Sequence, residues 1–332
     1  MKLHTPSRGS PSGLPPLGGF EAVDGRNLFL HRAGTGRPPV VFLAGAGTAG
    51  MDYYNLQARA AELSTSVLYD RGGTGWSDRV KLPRSSSEVI EELRQLLEAA
   101  GLAPPYVVVG HSLGGLYARH YATRFPADTA GLVLLDPGHE DYDAYMPEEL
   151  RQTRTGWPAF VTKQVYRLVG AAAQSAGGRK VLARVPAVRR YQELYRSLFA
   201  KEMADWPAEI RDPLIERHVS VEWLTVGLRE TQNVDDLYRE VRAAGPLPDV
   251  PLVILCSTEI DDFRRAVAPG ESESLLHQEF DGKRRLYEAL AASVPRGQCR
   301  LVSGGHVTVL FRAADAVITA IRDVMEIARN DG

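Results

Sequence analysis

The stretch at residues 107–115, Val-Val-Val-Gly-His-Ser-Leu-Gly-Gly, constrains the fold of this chain more than any other. Three consecutive β-branched residues suit a strand buried on both faces. The glycines that follow mark an abrupt change of direction, after which Leu116, Tyr117, Tyr121 and Phe125 recur at helical spacing. Gly110, Ser112 and Gly114 make Gly-x-Ser-x-Gly, the pattern of a strand that stops, turns sharply and becomes a helix. In such an elbow the serine sits on strained backbone with its hydroxyl clear of the sheet, and a β-carbon on either side would collide with a neighbouring strand or helix. The turn also brings the helix N-terminus, with its free N–H groups and positive dipole end, up to the serine, where it can meet an oxyanion. Three fixed positions arise often by chance, so the strand before them and the helix after them carry the reading.

Bulk properties narrow the partners. A chain of 332 residues with 44% hydrophobic content can build one large α/β domain or two modest ones. The net charge of −2 and the lack of a contiguous Lys/Arg run point away from nucleic acid or an acidic membrane surface and toward a small-molecule partner. Residues 1–19 are rich in Pro, Gly and Ser, lack the apolar core of a secretory signal, and read as a flexible arm. No stretch approaches the roughly 18 apolar residues of a membrane span. Cys256 and Cys299 each lie in an apolar strand-like run, which suits free buried thiols in a reducing, cytoplasmic compartment, with a disulfide open if the two runs become neighbours. No Cys/His cluster has zinc spacing, and neither a metal nor a cofactor is expected. The oligomeric state is not legible.

The chain then reads in order. Residues 20–23 and 27–31 form a hairpin around Asp24-Gly25. Residues 40–43 are a buried strand that enters the glycine-rich loop at 44–50, and residues 66–69 are another strand, ending at Asp70. Gly45, Gly47 and Gly50 with Asp70 match a dinucleotide fingerprint. The hairpin ahead of the strand and the complete elbow beyond favour a different use, a loop that lends a backbone N–H to an oxyanion hole. Ala46 is the favoured donor beside Leu113, with Gly47 as the alternative. Asp70 and Arg71 open a turn-rich loop and read as its internal braces. Ser85 and Glu88 have capping-box spacing ahead of an apolar stripe through Val89, Leu93, Leu96 and Leu97. Residues 131–135 are a further buried strand, closed by Asp136-Pro137-Gly138.

From about residue 140 to 246 the pattern is helical, broken at Pro158, Gly177-Gly178, Pro186, Pro207 and Pro213. This reads as an inserted cap. Its aromatics, Tyr142, Tyr145, Trp157, Phe160, Tyr191, Tyr195, Trp206 and Trp223, either line an apolar chamber or form the cap's own core. Strands resume at 252–256 and 298–302, with Asp261 and Asp262 in the loop after the first. The second delivers Ser303-Gly304-Gly305-His306, and a closing helix carries Val317, Ile321, Val324 and Ala328 on one face.

Gly-His-Ser-Leu-Gly-Gly at 110–115, the glycine loop at 44–47, Asp70-Arg71-Gly72 with Gly75 and Ser77, and Gly305-His306 together resemble the α/β-hydrolase superfamily outside the arm and the cap. The resemblance implies a mostly parallel eight-stranded sheet with helices on both faces and a helical cap after the sixth strand. The domains would then be an arm at 1–19, a core at 20–139 and 247–332, and a cap at 140–246. It also implies a nucleophile, an acid and a histidine in that chain order. Ser112 is the candidate nucleophile and His306 its base, since an imidazole suits proton transfer near neutral pH and a carboxylate fixes its tautomer. His111 is assigned local packing or hydrogen bonding, and His120 and His139 a place at the surface or behind the site.

Two positions compete for the acid. The family's commonest place, after the seventh strand, offers Asp261 or Asp262. The variant place, at the end of the sixth strand, offers Asp136, which is favoured here. Hydrolysis of a small, largely apolar ester, thioester or amide is the leading activity. A cofactor-independent lyase, cyclase or acyltransferase, or a non-catalytic ligand-binding protein, would use the same pocket, because fold does not decide function.

Overall fold

The computed structural model describes residues 13–154, 156–267 and 270–330, without the side chains of 153–163 and 267. Eight strands form one sheet in the order β1-β2-β4-β3-β5-β6-β7-β8. β1 (Gly19–Val23) and β2 (Arg26–Ala33) are joined at Asp24-Gly25, both with positive φ (47° and 74°), the turn whose twist matches an antiparallel hairpin. β2 also pairs antiparallel with β4 (Ser66–Tyr69). β3 (Val40–Leu43), β5 (Tyr106–His111), β6 (Thr129–Leu135), β7 (Leu252–Ser257) and β8 (Gly297–Val302) continue the sheet in parallel.

Alternation along these strands splits the core in two. Val41, Leu43, Val108, Leu132, Leu134, Leu252 and Ile254 face one layer, while Val40, Phe42, Val107, Val109, Val133, Leu135, Val253 and Leu255 face the other. Between β3 and β4 lies α1 (Tyr54–Ala60); between β4 and β5, α2 (Ser86–Ala99), whose Ser85 and Glu88 make the expected capping box. α3 (Leu113–Arg124) follows β5.

The helical insertion runs from β6 to β7. It holds α4 (Tyr142–Tyr145), α5 (Glu148–Arg154), α6 (Gly156–Ala172), α7 (Ala176–Leu182), α8 (Pro186–Glu202), α9 (Ala208–His218), α10 (Val221–Glu230) and α11 (Val234–Ala244). α12 (Asp262–Val267) and α13 (Glu273–Ala292) separate β7 from β8, and α14 (Val309–Arg312) and α15 (Ala314–Asn330) close the chain. α2, α3, α11 and α13 cover the first layer, and α1 and α15 cover the second, so helices lie on both faces.

Several expected breaks behave otherwise. Pro186 and Pro207 do mark helix starts, but α6 continues through Pro158 in its first turn, where a missing N–H costs nothing. Pro213 lies inside α9, which is carried through by the burial of Ile210, Leu214 and Ile215. Gly177-Gly178 opens α7 rather than ending a helix, because Ser175 caps it by accepting the Gly178 N–H at 2.9 Å. Cys256 and Cys299 are both free, since Cys299 stands opposite Ile254 and Cys256 opposite Leu301. Of the N-terminal arm, residues 1–12 lie outside the described residues.

Candidate active site

Ser112 stands between β5 and α3 in a backbone conformation (φ 51°, ψ −119°) that residues with a side chain rarely adopt. The surrounding glycines are compelled by close packing: a β-carbon on Gly114 would lie 2.0 Å from the Leu43 carbonyl oxygen, and one on Gly110 2.6 Å from that of Gly114. The Ser112 carbonyl accepts N–H groups from Gly115 and Gly138, at 2.9 and 2.8 Å, which locks the turn against the segment after β6.

Three chain segments meet at this serine. His306, in the loop after β8, sets Nε2 3.0 Å from Ser112 Oγ and Nδ1 2.7 Å from Asp136 Oδ2. The network fits a ring protonated at Nδ1, donating to the carboxylate and accepting the serine hydroxyl proton at Nε2. Asp136 stands at the end of β6, fully buried and at positive φ (44°). Its Oδ1 accepts the Ser257 N–H at 3.1 Å, and its Oδ2 also accepts from Lys283 Nζ, at 2.9 Å. Lys283 reaches in from α13 and donates as well to Ser257 Oγ at 2.9 Å. Burial by itself would raise the Asp136 carboxyl, but the Lys283 ammonium and the His306 hydrogen bond hold it well below the usual carboxylate range.

Asp261 is occupied differently. Its Oδ1 accepts the Arg264 N–H at 2.8 Å, as a cap for α12, and its Oδ2 accepts the Val307 N–H at 2.9 Å. It therefore braces the loop that carries His306 instead of touching the imidazole, and a β-carbon on Gly305 would meet it at 2.6 Å. Asp262 is the exposed first residue of α12. Of the candidate acids, Asp136 is the one the fold brings to His306, because the carboxyl end of β6 lies directly beside β5.

The loop after β3 is held from the helical insertion. The Gly47 N–H donates to Glu230 Oε2 at 2.9 Å, and the Trp223 indole N–H donates to the Gly47 carbonyl at 2.8 Å. Glu230 Oε1 also accepts from Arg71 Nη2 at 2.7 Å, and that guanidinium donates to the Ala44 and Gly45 carbonyls, the latter at 2.9 Å. Both groups are buried, and although burial opposes it, Glu230 raises the Arg71 pKa, keeping the guanidinium charged. Arg71 and Asp70 thus both reach beyond the local brace expected of them: Asp70 accepts the Trp76 N–H of its own loop at 2.7 Å but also the Gly50 N–H of the glycine loop, at 2.7 Å. The N–H of Gly47, the alternative oxyanion donor, is thus engaged by Glu230. A β-carbon on Gly45 would come within 3.3 Å of Ser112 Cβ. Leu113 opens α3, where backbone N–H groups have no partner within the helix.

His111, His120 and His139 are structural in their contacts. His111 Nδ1 lies 2.8 Å from the Tyr53 hydroxyl, which accepts the Gly45 N–H, and its Nε2 lies 2.8 Å from the His306 carbonyl. Burial, helped by nearby His306, pushes this ring down to about 3, so it is neutral and links the glycine loop to the His306 loop. His120 and His139 are buried rather than at the surface: His120 meets Ser86 Oγ at 2.6 Å, and His139 accepts the Asp141 N–H at 3.0 Å. Among the described residues one group, His139, Glu140 and Asp141, is close enough to share an ion, but Arg119 takes Glu140 in a two-pronged pair and Arg242 takes Asp141.

A cavity of about 530 Å³ opens past Ala46 and Gly47 into the insertion. Of the expected chamber aromatics, Tyr191, Tyr195 and Trp223 line it, joined by Phe263 of α12. Trp206 packs instead against Tyr54 and Phe311, Tyr142 donates to Glu279, and Tyr145 packs on the core. The side chains of Trp157 and Phe160 lie outside the described residues.

A model of the alpha/beta hydrolase family matches residues 40–320, which takes in every element of this site. The chain belongs to the alpha/beta hydrolase family. Among curated relatives it is 35% identical over 127 residues to the uncharacterised protein YqjL of Bacillus subtilis (strain 168), a match covering 38% of this chain and 50% of YqjL. The chain thus spans about half the length of that relative. Among solved structures it resembles a thermophilic esterase from Thermogutta terrifontis (TM-score 0.58, 18% identity, 93% of this chain and 97% of the other). It also resembles the enol-lactonase from Burkholderia xenovorans LB400 (TM-score 0.56, 19% identity, 92% and 99%). At these identities the likeness is one of fold, and the family membership rests on the model match over residues 40–320.

Proposed function

We propose that this alpha/beta hydrolase is a serine hydrolase that cleaves a small, largely apolar ester, thioester or amide through an acyl-enzyme. The observation that carries the reading is the chain Ser112 Oγ, His306 Nε2, His306 Nδ1, Asp136 Oδ2, with contacts of 3.0 and 2.7 Å at a strained strand-to-helix turn. In this mechanism His306 takes the hydroxyl proton as Ser112 Oγ bonds to the carbonyl carbon. Asp136 holds the ring in the required tautomer and stabilises the imidazolium. The Ala46 and Leu113 N–H groups receive the oxyanion; a donor of that kind contributes about 100- to 1000-fold in rate. His306 then protonates the leaving group, and a water, activated by the same ring, releases the acid from Ser112.

The substrate class follows from the cavity, whose lining holds no charged side chain and whose volume of about 530 Å³ suits a small apolar molecule. Residues 140–246 act as a cap over it. The esterase and the enol-lactonase among the structural likenesses agree with chemistry at an ester carbonyl. A fluorophosphonate probe tests the assignment: it is expected to label the wild type and leave Ser112→Ala unlabelled. Equal labelling of both proteins, or none of either, would overturn it.

A further inference from the structure

The helices α6, α7 and α8 turn one side to the cavity and the other to solvent. Val169 of α6, Leu182 of α7 and Val188 of α8 line the cavity wall. Their outer side differs from the rest of the surface. Among the described residues seven large apolar side chains are exposed, and five of them, Val165, Tyr166, Leu168, Val181 and Val185, fall between positions 165 and 185. Leu168 and Val181 are 70% and 63% exposed, more than a packed helix requires.

Charge is segregated onto the same helices. Residues 155–192 contain seven basic residues, Lys163, Arg167, Arg179, Lys180, Arg184, Arg189 and Arg190, and no Asp or Glu. Since the whole chain carries −2, everything outside this segment carries −9 (−2 − 7). The hydrogen bonds that Arg167, Arg179 and Arg189 make among the described residues go to neutral acceptors, the Gln164 side chain and the carbonyls of Ala173, Gln174 and Ala183, so none of these bonds neutralises their charge. The nearly balanced total had pointed away from an anionic surface. It conceals this segregation because the cations are spaced along three helices and never adjoin in a long run.

Cations interleaved with exposed aliphatic side chains suit an interface of anionic headgroups over acyl chains. A nucleic-acid backbone would engage the cations and leave Leu168 and Val181 in water. We propose that the outer face of α6, α7 and the start of α8 docks this protein reversibly on an anionic lipid bilayer. Tyr166 is 44% exposed and also lines the cavity, so the cavity mouth would face the bilayer and admit an apolar substrate from it.

Co-sedimentation of the full chain with vesicles tests this without any turnover, so it stands apart from the hydrolase reading. Wild type is expected to bind phosphatidylcholine–phosphatidylglycerol vesicles at least about tenfold better than phosphatidylcholine alone, with the excess lost at high salt. Lys180→Glu with Arg184→Glu should abolish the excess, and Leu168→Asp with Val181→Asp should weaken it by a similar factor. All four positions lie outside the cavity lining, so circular dichroism should be unchanged in both variants. Equal binding to the two vesicles, binding that survives both double substitutions, or retention on heparin without vesicle binding would each overturn the proposal.

Discussion

Replacing Lys283 with methionine isolates the buried charge behind the site. The Lys283 side chain is 15% exposed and that of Asp136 is 0% exposed, with 2.9 Å between Nζ and Oδ2. Methionine keeps most of the volume and removes the cation. The carboxylate then keeps only the His306 and Ser257 hydrogen bonds, and breaking a pair buried this deeply costs about 3–5 kcal/mol. The loss should depend on pH in a defined direction. The Asp136 carboxyl is held below its ordinary value, so its stabilisation is present above the unfolded-chain value of about 4 and fades as the pH falls through the lower folded value. In the variant, burial acts with less opposition, the carboxyl protonates at higher pH, and the gap to wild type narrows on acidification. Urea unfolding followed by tryptophan fluorescence, at about pH 7 and about pH 4, reads both quantities. A loss under about 1 kcal/mol at neutral pH, the range of an exposed pair, or a gap that widens in acid, would refute the reasoning.

Other substitutions separate the site's parts. Asp136→Asn should lower kcat for an activated ester by about 10⁴-fold, because the amide favours the wrong imidazole tautomer. Asp261→Asn weakens only two backbone hydrogen bonds and should lower kcat less than about tenfold, at a stability cost of about 1 kcal/mol in thermal unfolding. The reverse ranking in steady-state kinetics would move the acid to Asp261. Glu230→Gln leaves Arg71 without its buried counter-charge and weakens the hold on Gly47. It should cut kcat about tenfold to 100-fold with a smaller change in KM, as expected when an oxyanion donor is displaced. Unchanged kcat would show that the insertion does not position the loop.

The sheet, the elbow and the His306 loop were legible because each leaves a local signature. The strands at 40–43, 107–109 and 131–135 are apolar on both faces, and Gly110, Ser112 and Gly114 spell a turn that packing enforces. The pairing of Asp136 with His306 was harder to read, since it joins residues 170 positions apart and depends on β6 lying next to β5. Lys283 and Glu230 escaped notice, although their signal is present. Lys283 falls on the stripe of Leu286, Tyr287 and Leu290, and Glu230 on that of Trp223 and Val226. A charge on the buried stripe of an amphipathic helix needs a buried partner. The helix breaks inside the insertion were misread at Gly177-Gly178 and Pro213 because a cap at Ser175 and the packing of α9 override local propensity there.

The acyl-enzyme itself gives the most direct test of the central claim. Protein quenched in acid during turnover of an activated ester, then weighed intact and mapped by peptide mass, should carry one acyl group on the peptide containing Ser112. Ser112→Ala should carry none. Product release without any acylated protein, or an acyl group on another residue, would contradict the account.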